Sequence, residues 1–121
     1  MKVLSVDDNP LHLKLVNVVL SAAGHRVRNA KAAGQAIEFI GLEQPELIIL
    51  DLSLPDTDGL SLVRQIRSDP KVEHIPVVAV TFYPERFTRE DAMAAGCNAY
   101  LVKPISTRTL PELITQVAAG G

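Results

Sequence analysis

Cysteine occurs once in these 121 residues, at Cys97, so no internal disulfide can form. A lone thiol fits a reducing, cytoplasmic setting, and its plainest role is that of a small buried apolar group. Long apolar runs are missing as well. No stretch reaches the ~18 residues that a membrane span requires, and strand-like residues begin at once, leaving no signal-peptide pattern. Charge of one sign is also scarce. The formal net charge of −2 gives no bulk attraction to nucleic acid or to an anionic membrane surface. Only five residues are aromatic, and Phe82, Tyr83, Phe87 and Tyr100 are four of them. No internal repeat, low-complexity run or interdomain linker is visible.

The remainder is an ordinary globular composition, 47% apolar and 21% charged, in a chain long enough to bury a core without metal or disulfide support. Residues 1–121 read as a single domain with no output domain attached. Strand-like and helix-like patterns alternate throughout, the signature of βα units on a parallel sheet. Strands are expected over about residues 2 to 6, 25 to 29, 47 to 51, 76 to 80 and 99 to 102. The second, mixing Arg26 and Arg28 with Val27, belongs at a solvent-facing edge. A first helix begins near Pro10 and ends near Gly24. The second carries Ala33, Ala36, Ile37 and Ile40 on one apolar face. Asp58 caps a third with Leu60, Val63 and Ile66 inward. A fourth, over about residues 86 to 95, has the weakest apolar stripe. In the fifth, which carries Leu110, Leu113, Ile114 and Val117, Pro111 would break an interior hydrogen bond if the helix began at Ser106, so a start after Thr109 is expected.

Chemistry gathers at the strand ends. Leu47-Ile48-Ile49-Leu50 is a run of four branched aliphatics suited to a strand buried on both faces, and it closes on Asp51. The first strand closes on Asp7 and Asp8, the fourth on Thr81, and the fifth on Lys103. Right-handed crossovers put every carboxyl end on one edge of the sheet, where open α/β sheets place their ligands. Clustered carboxylates repel unless a cation neutralises them, and oxygen-rich sites of this kind suit Mg²⁺ or Mn²⁺. The backbone carbonyl of Ser53 could complete the protein's share. Lys103 and Thr81 then offer an ammonium and a hydroxyl to an anion, and Asp51 between cation and lysine is arranged as a nucleophile toward a phosphoryl group. Each residue alone reads more simply as a helix cap or surface charge. All of them at matching strand ends argue against that simpler reading.

The acid pair Asp7-Asp8, Asp51 with Leu54-Pro55 and Asp58-Gly59 after it, Thr81, Tyr100 and Lys103-Pro104 occur in an order and spacing that resemble the response-regulator receiver domain of two-component signalling, along essentially the whole chain. The resemblance implies a flavodoxin-like sheet in the order 2-1-3-4-5 with five helices. It implies that Asp51 accepts a phosphoryl group from a phosphohistidine on a histidine kinase or phosphotransfer protein. Asp7, Asp8, Asp51 and the Ser53 carbonyl would hold Mg²⁺, and Thr81 and Lys103 would bind the phosphoryl oxygens. Tyr100 would rotate inward as Thr81 moves, switching a partner-binding face around helix four, strand five and helix five. The Lys103-Pro104 bond would be cis.

One position departs from the family. Receivers usually carry a very small residue directly after the strand-four hydroxyl, and here it is Phe82, followed by Tyr83. Either Phe82 and Phe87 pack under the alanine-rich helix four, or Phe82 overhangs the Asp51 pocket and slows entry of small donors and water. Phe82, Tyr83 and Phe87, if exposed, would form an apolar patch for a downstream partner or a second copy. Helix four, with few large anchors, is the natural element to shift. His12, His25 and His74 lack ligand spacing and read as surface residues.

Two other function classes compete. Magnesium-dependent phosphotransferases and phosphatases with an aspartyl nucleophile resemble the constellation, but usually place a second acid two residues on, where this chain has Ser53. Nucleotide or flavin binding would need a glycine-rich phosphate cradle, and the first loop reads Asp7-Asp8-Asn9-Pro10.

Overall fold

A computed structural model describes residues 1–120. Five strands, β1 (Lys2–Val6), β2 (Arg26–Ala30), β3 (Leu47–Asp51), β4 (Val77–Thr81) and β5 (Ala99–Val102), alternate with five helices, α1 (Pro10–Ala22), α2 (Ala33–Leu42), α3 (Gly59–Ser68), α4 (Arg89–Ala95) and α5 (Leu110–Ala118). All neighbouring strands pair in parallel, in the order β2-β1-β3-β4-β5. The arginine-bearing β2 is an edge strand, as its composition requires.

The unbroken aliphatic run of β3 follows from its place at the centre of the sheet. Ile48 and Leu50 pack with α2, α3 and α4, while Leu47 and Ile49 pack with α1 and α5. Alternate residues thus face opposite layers, and every one of them is buried. Local chemistry sets the helix ends. Asn9 caps α1 by accepting from the Leu11 and His12 amides, and Asp58 caps α3 through Ser61 N at 2.8 Å. Gly59 must be glycine, because a Cβ there would stand 2.6 Å from the Leu52 Cα. Gly24, in the left-handed region at φ +90°, follows the end of α1. Helix α5 begins after Thr109 with Pro111 in its first turn, although the Thr109 side chain makes no capping bond.

Four expectations need correction. Helix α4 starts at Arg89, three residues later than expected, because Thr88 caps it by accepting from Asp91 N, and residues 83–87 form a separate turn in which the Arg86 and Phe87 amides donate to the Tyr83 carbonyl. Phe87 is only 4% exposed and belongs to the core beneath α4, so it is no part of an exposed patch. Ile37 is 42% exposed: the inward face of α2 is Ala33, Ala36 and Ile40, with Phe39 packed at the margin. Strands β2 and β4 each run one residue later than expected, leaving His25 and Pro76 just before them.

At the amino edge of the sheet, Arg67 joins several elements at once. Its Nε donates to the Gly96 carbonyl, its remaining nitrogens to the carbonyls of Glu73 and Ile75 and to Asn98 Oδ1, all at 2.7–2.9 Å. Asn98 Oδ1 also accepts from the Val77 amide. Gly96 ends α4 at φ +113°, and a Cβ there would meet the Arg67 side chain at 2.7 Å. The carboxyl end of α4 is therefore tied to α3, β4 and the start of β5 through one guanidinium.

Candidate functional site

The carboxyl edge carries the buried charges. Asp7, Asp51, Thr81 and Lys103 are all buried, and Asp8 beside them is exposed. Strand β1 ends as the Asp7 amide donates to the Ala30 carbonyl, and Asp7 Oδ1 then accepts from Asn9 N at 2.9 Å, fixing the carboxylate at the start of α1. Asp51 is held the same way, its Oδ1 accepting from Ser53 N at 3.0 Å. These Asx turns leave the second oxygen of each carboxylate pointing at a shared space. Lys103 fills it, with Nζ 2.7 Å from Asp7 Oδ2 and 3.3 Å from Asp51 Oδ2. The Lys103 amide donates to the Thr81 carbonyl, which seats the lysine at the end of β5, and the Lys103-Pro104 peptide is cis as expected.

Asp51 is the perturbed acid. Burial pushes its pKa up to about 6, against the opposing pull of the Ser53 amide and the Lys103 ammonium. One carboxylate oxygen from each of Asp7, Asp8 and Asp51 lies within 4.8 Å of the others. Three hard oxygen donors at that spacing, two of them already taken out of water, fit a small divalent cation. The charge-compensating task is shared with Lys103, whose ammonium already lies between two of the carboxylates.

Thr81 Oγ1 accepts from the Tyr83 amide at 2.8 Å, a tight turn that encloses Phe82. Phe82 is 47% exposed, and its ring lies over the Lys103 ammonium, 5.0 Å from Nζ to the ring centroid. It therefore sits at the mouth of the site and not under α4. Tyr83 is exposed beside it at 48%. Tyr100 is already inward, its hydroxyl donating to the Phe87 carbonyl and its ring covered by the Arg89 guanidinium at 5.3 Å. Its own carbonyl accepts from Arg89. Burial pushes the Tyr100 pKa up.

Sequence reasoning missed two residues. These are His12 and Asp56. Of the three histidines, His12 and His25 are partly exposed and His74 is exposed. His25 Nδ1 lies 2.9 Å from the Met1 amine. His12 matters more: its ring meets Phe82 edge-on at 5.1 Å and 90°, and its Nδ1 has no hydrogen-bond partner among the described residues. Burial, then the Lys103 ammonium, hold it below the usual histidine range. The available signal was its place in the first turn of α1, directly after the Asp7-Asp8-Asn9 loop. Asp56 gave no signal. Its two carboxylate oxygens accept from the Ala33 and Gly34 amides, each at 3.0 Å, so the loop after Asp51 caps α2, whose own Ala32 supplies no side-chain cap. Those amide bonds hold the Asp56 carboxyl below the ordinary aspartate range.

A doubly wound parallel sheet with an acid–lysine centre at its carboxyl edge defines a flavodoxin-like α/β domain built for a charged ligand. This chain belongs to the response regulator receiver domain family, whose family model matches residues 3–115. It is 33% identical over 112 residues to the polar-differentiation response regulator DivK of Brucella ovis, covering 93% of this chain and 91% of DivK. Among solved structures it is similar to the chemotaxis response regulator CheY4 of Vibrio cholerae (TM-score 0.87, 28% identity, 96% of this chain and 97% of that one). It is also similar to the receiver domain of a sensor histidine kinase of Pseudomonas aeruginosa, solved with a magnesium ion coordinated in its active site cleft (TM-score 0.88, 29% identity, 98% and 97%). No helix among the described residues is long and apolar enough to cross a membrane.

Proposed function

We propose that Asp51 is the phosphoacceptor of a receiver switch, loaded from a phosphohistidine on a histidine kinase or phosphotransfer protein. The observation that carries this reading is the pairing of Asp51 Oδ2 with the Lys103 ammonium inside a buried cluster that includes Asp7. The Asp51 oxygen forms a bond to phosphorus as the P–N bond of the donor breaks, and the electron pair leaves with the imidazole. Lys103 and Thr81 bind the phosphoryl oxygens, so the ammonium must exchange carboxylate partners for phosphate ones. Asp7, Asp8, Asp51 and the Ser53 backbone carbonyl would hold Mg²⁺, or Mn²⁺, with the same hard-oxygen set. When bound, the divalent ion supplies charge neutralisation on the transferring group. Thr81 and Tyr100 would couple the site to α4, β5 and α5, the face read by a downstream partner or a second copy. We read the domain as a cytoplasmic switch and not a turnover enzyme, because Ser53 occupies the position of the second acid that aspartyl phosphatases use.

Phosphotransfer from a panel of histidine-phosphorylated donors in Mg²⁺, run beside Asp51→Asn, tests this. Label on the parent and none on Asp51→Asn is expected. Persistent label on the variant would move the acceptor elsewhere.

A further inference from the structure

The ammonium that Asp51 chemistry needs is also the ammonium that Phe82 covers. Lys103 Nζ lies 3.3 Å from Asp51 Oδ2 and 5.0 Å from the centre of the Phe82 ring. A phosphoryl oxygen approaching Asp51 must therefore share Lys103 with an aromatic face, or the ring must move. Movement of the backbone is not the easy route, because the Tyr83 amide is bonded to Thr81 Oγ1 and closes a tight turn around Phe82. The side chain is freer, being half in solvent. What steadies it is the His12 ring from α1, in a T-shaped contact at the mouth of the site. His12 Nδ1 is bonded to nothing among the described residues, so no hydrogen bond at that nitrogen competes with the ring's contact with Phe82.

We propose that His12 and Phe82 form a gate over Lys103 that discriminates against small phosphodonors and hydrolytic water in favour of a phosphohistidine presented by a protein. The proposal rests on Asp51 being the acceptor. A small donor has only its own few atoms with which to displace the ring. A protein donor brings an apolar surface to the mouth, where Phe82 and Tyr83 are half exposed. Contacts remote from the reacting atoms can then offset the displacement of Phe82 from Lys103. His12 acts through Phe82 and is a positioning residue; Phe82 is the specificity determinant.

The test measures the second-order rate of Asp51 phosphorylation, with Mg²⁺, from phosphoramidate and monophosphoimidazole, from the histidine-phosphorylated protein that labels the parent chain, and the lifetime of the aspartyl phosphate. Monophosphoimidazole has the leaving group of phosphohistidine without the protein surface, so it separates chemistry from docking. Phe82→Ala should raise both small-donor rates about tenfold and shorten the lifetime several-fold, and the ratio of small-donor to protein-donor rate should rise at least several-fold. His12→Ala should move the same way by a smaller factor, His12→Phe should restore parent behaviour, and the double alanine variant should match Phe82→Ala. Small-donor rates and lifetimes unchanged in Phe82→Ala and Phe82→Leu would overturn the gate, as would equal acceleration of small and protein donors. Label surviving Asp51→Asn is the separate outcome that removes the acceptor assignment itself.

Discussion

Lys103 is closer to Asp7 than to Asp51, 2.7 Å against 3.3 Å. In the described state the lysine is therefore principally the counterion of the first strand's acid, and only secondarily that of the acceptor. Both carboxylates are buried, so removing their shared cation would leave two buried charges without compensation.

Replacing Lys103 with methionine keeps the apolar stem and removes the charge. Two buried carboxylates then face each other without compensation, and removing one partner of a buried pair costs about 3–5 kcal/mol. Urea denaturation with chelator present should show a loss of that order. Added Mg²⁺ should recover much of it, because the same oxygens can take a divalent ion in place of the ammonium.

The raised pKa of Asp51 makes stability fall as pH rises. Its folded pKa is about 6, against 3.8 for the free side chain, so between these values the native state binds more protons than the unfolded chain. Asp51 thus contributes a loss of stability as pH climbs from about 4 to about 6, at most about 3 kcal/mol, levelling off above. Asp51→Asn should lack this slope and, without divalent ions, unfold at higher urea than the parent at pH 7.5. The variant keeps its Lys103–Asp7 pair, so little attraction is lost with the charge. Denaturation curves across pH in chelator, parent beside variant, check both statements.

Helix α4 should exchange its amide hydrogens faster than α5. Its buried residues are Ala92 and Ala95, whereas α5 buries Leu110, Ile114 and Val117. Less apolar area removed from water means a smaller free energy of local opening. Hydrogen exchange read by mass spectrometry should place α4 peptides ahead of α5 peptides in rate. Equal protection would argue against α4 as the mobile element.

The architecture and the cluster of Asp7, Asp8, Asp51 and Lys103 were legible because each depends on a local signal. A parallel strand buried on both faces must be continuously apolar, and a charged residue ending it must lie at the sheet's edge. The start of α5 was legible from Pro111 for the same reason. The failures share a different cause. Ile37 fits the helical period yet lies at the margin of the sheet, where periodicity cannot tell a covered position from an uncovered one. Phe87 was grouped with Phe82 and Tyr83 by proximity in sequence, but the turn at residues 83–87 sends it inward. Asp56 and His12 are defined by partners 22 to 70 residues away, and no local pattern encodes such a contact.

The Arg67 clamp gives α4 a fulcrum. With Gly96 bound to Arg67 of α3, the carboxyl end of the helix is pinned, while the Thr88 cap and the turn before it are bonds within the segment itself, which leaves the amino end the freer one. Seven residues at 1.5 Å rise make a lever about 10 Å long, so a tilt of about 10° would carry the free end roughly 2 Å and the pinned end hardly at all. The travelling end is the one nearest Phe82 in sequence, and it carries Arg89, whose guanidinium covers Tyr100. Leverage thus runs outward from the carboxyl edge of the sheet, and the opposite edge serves as its mounting.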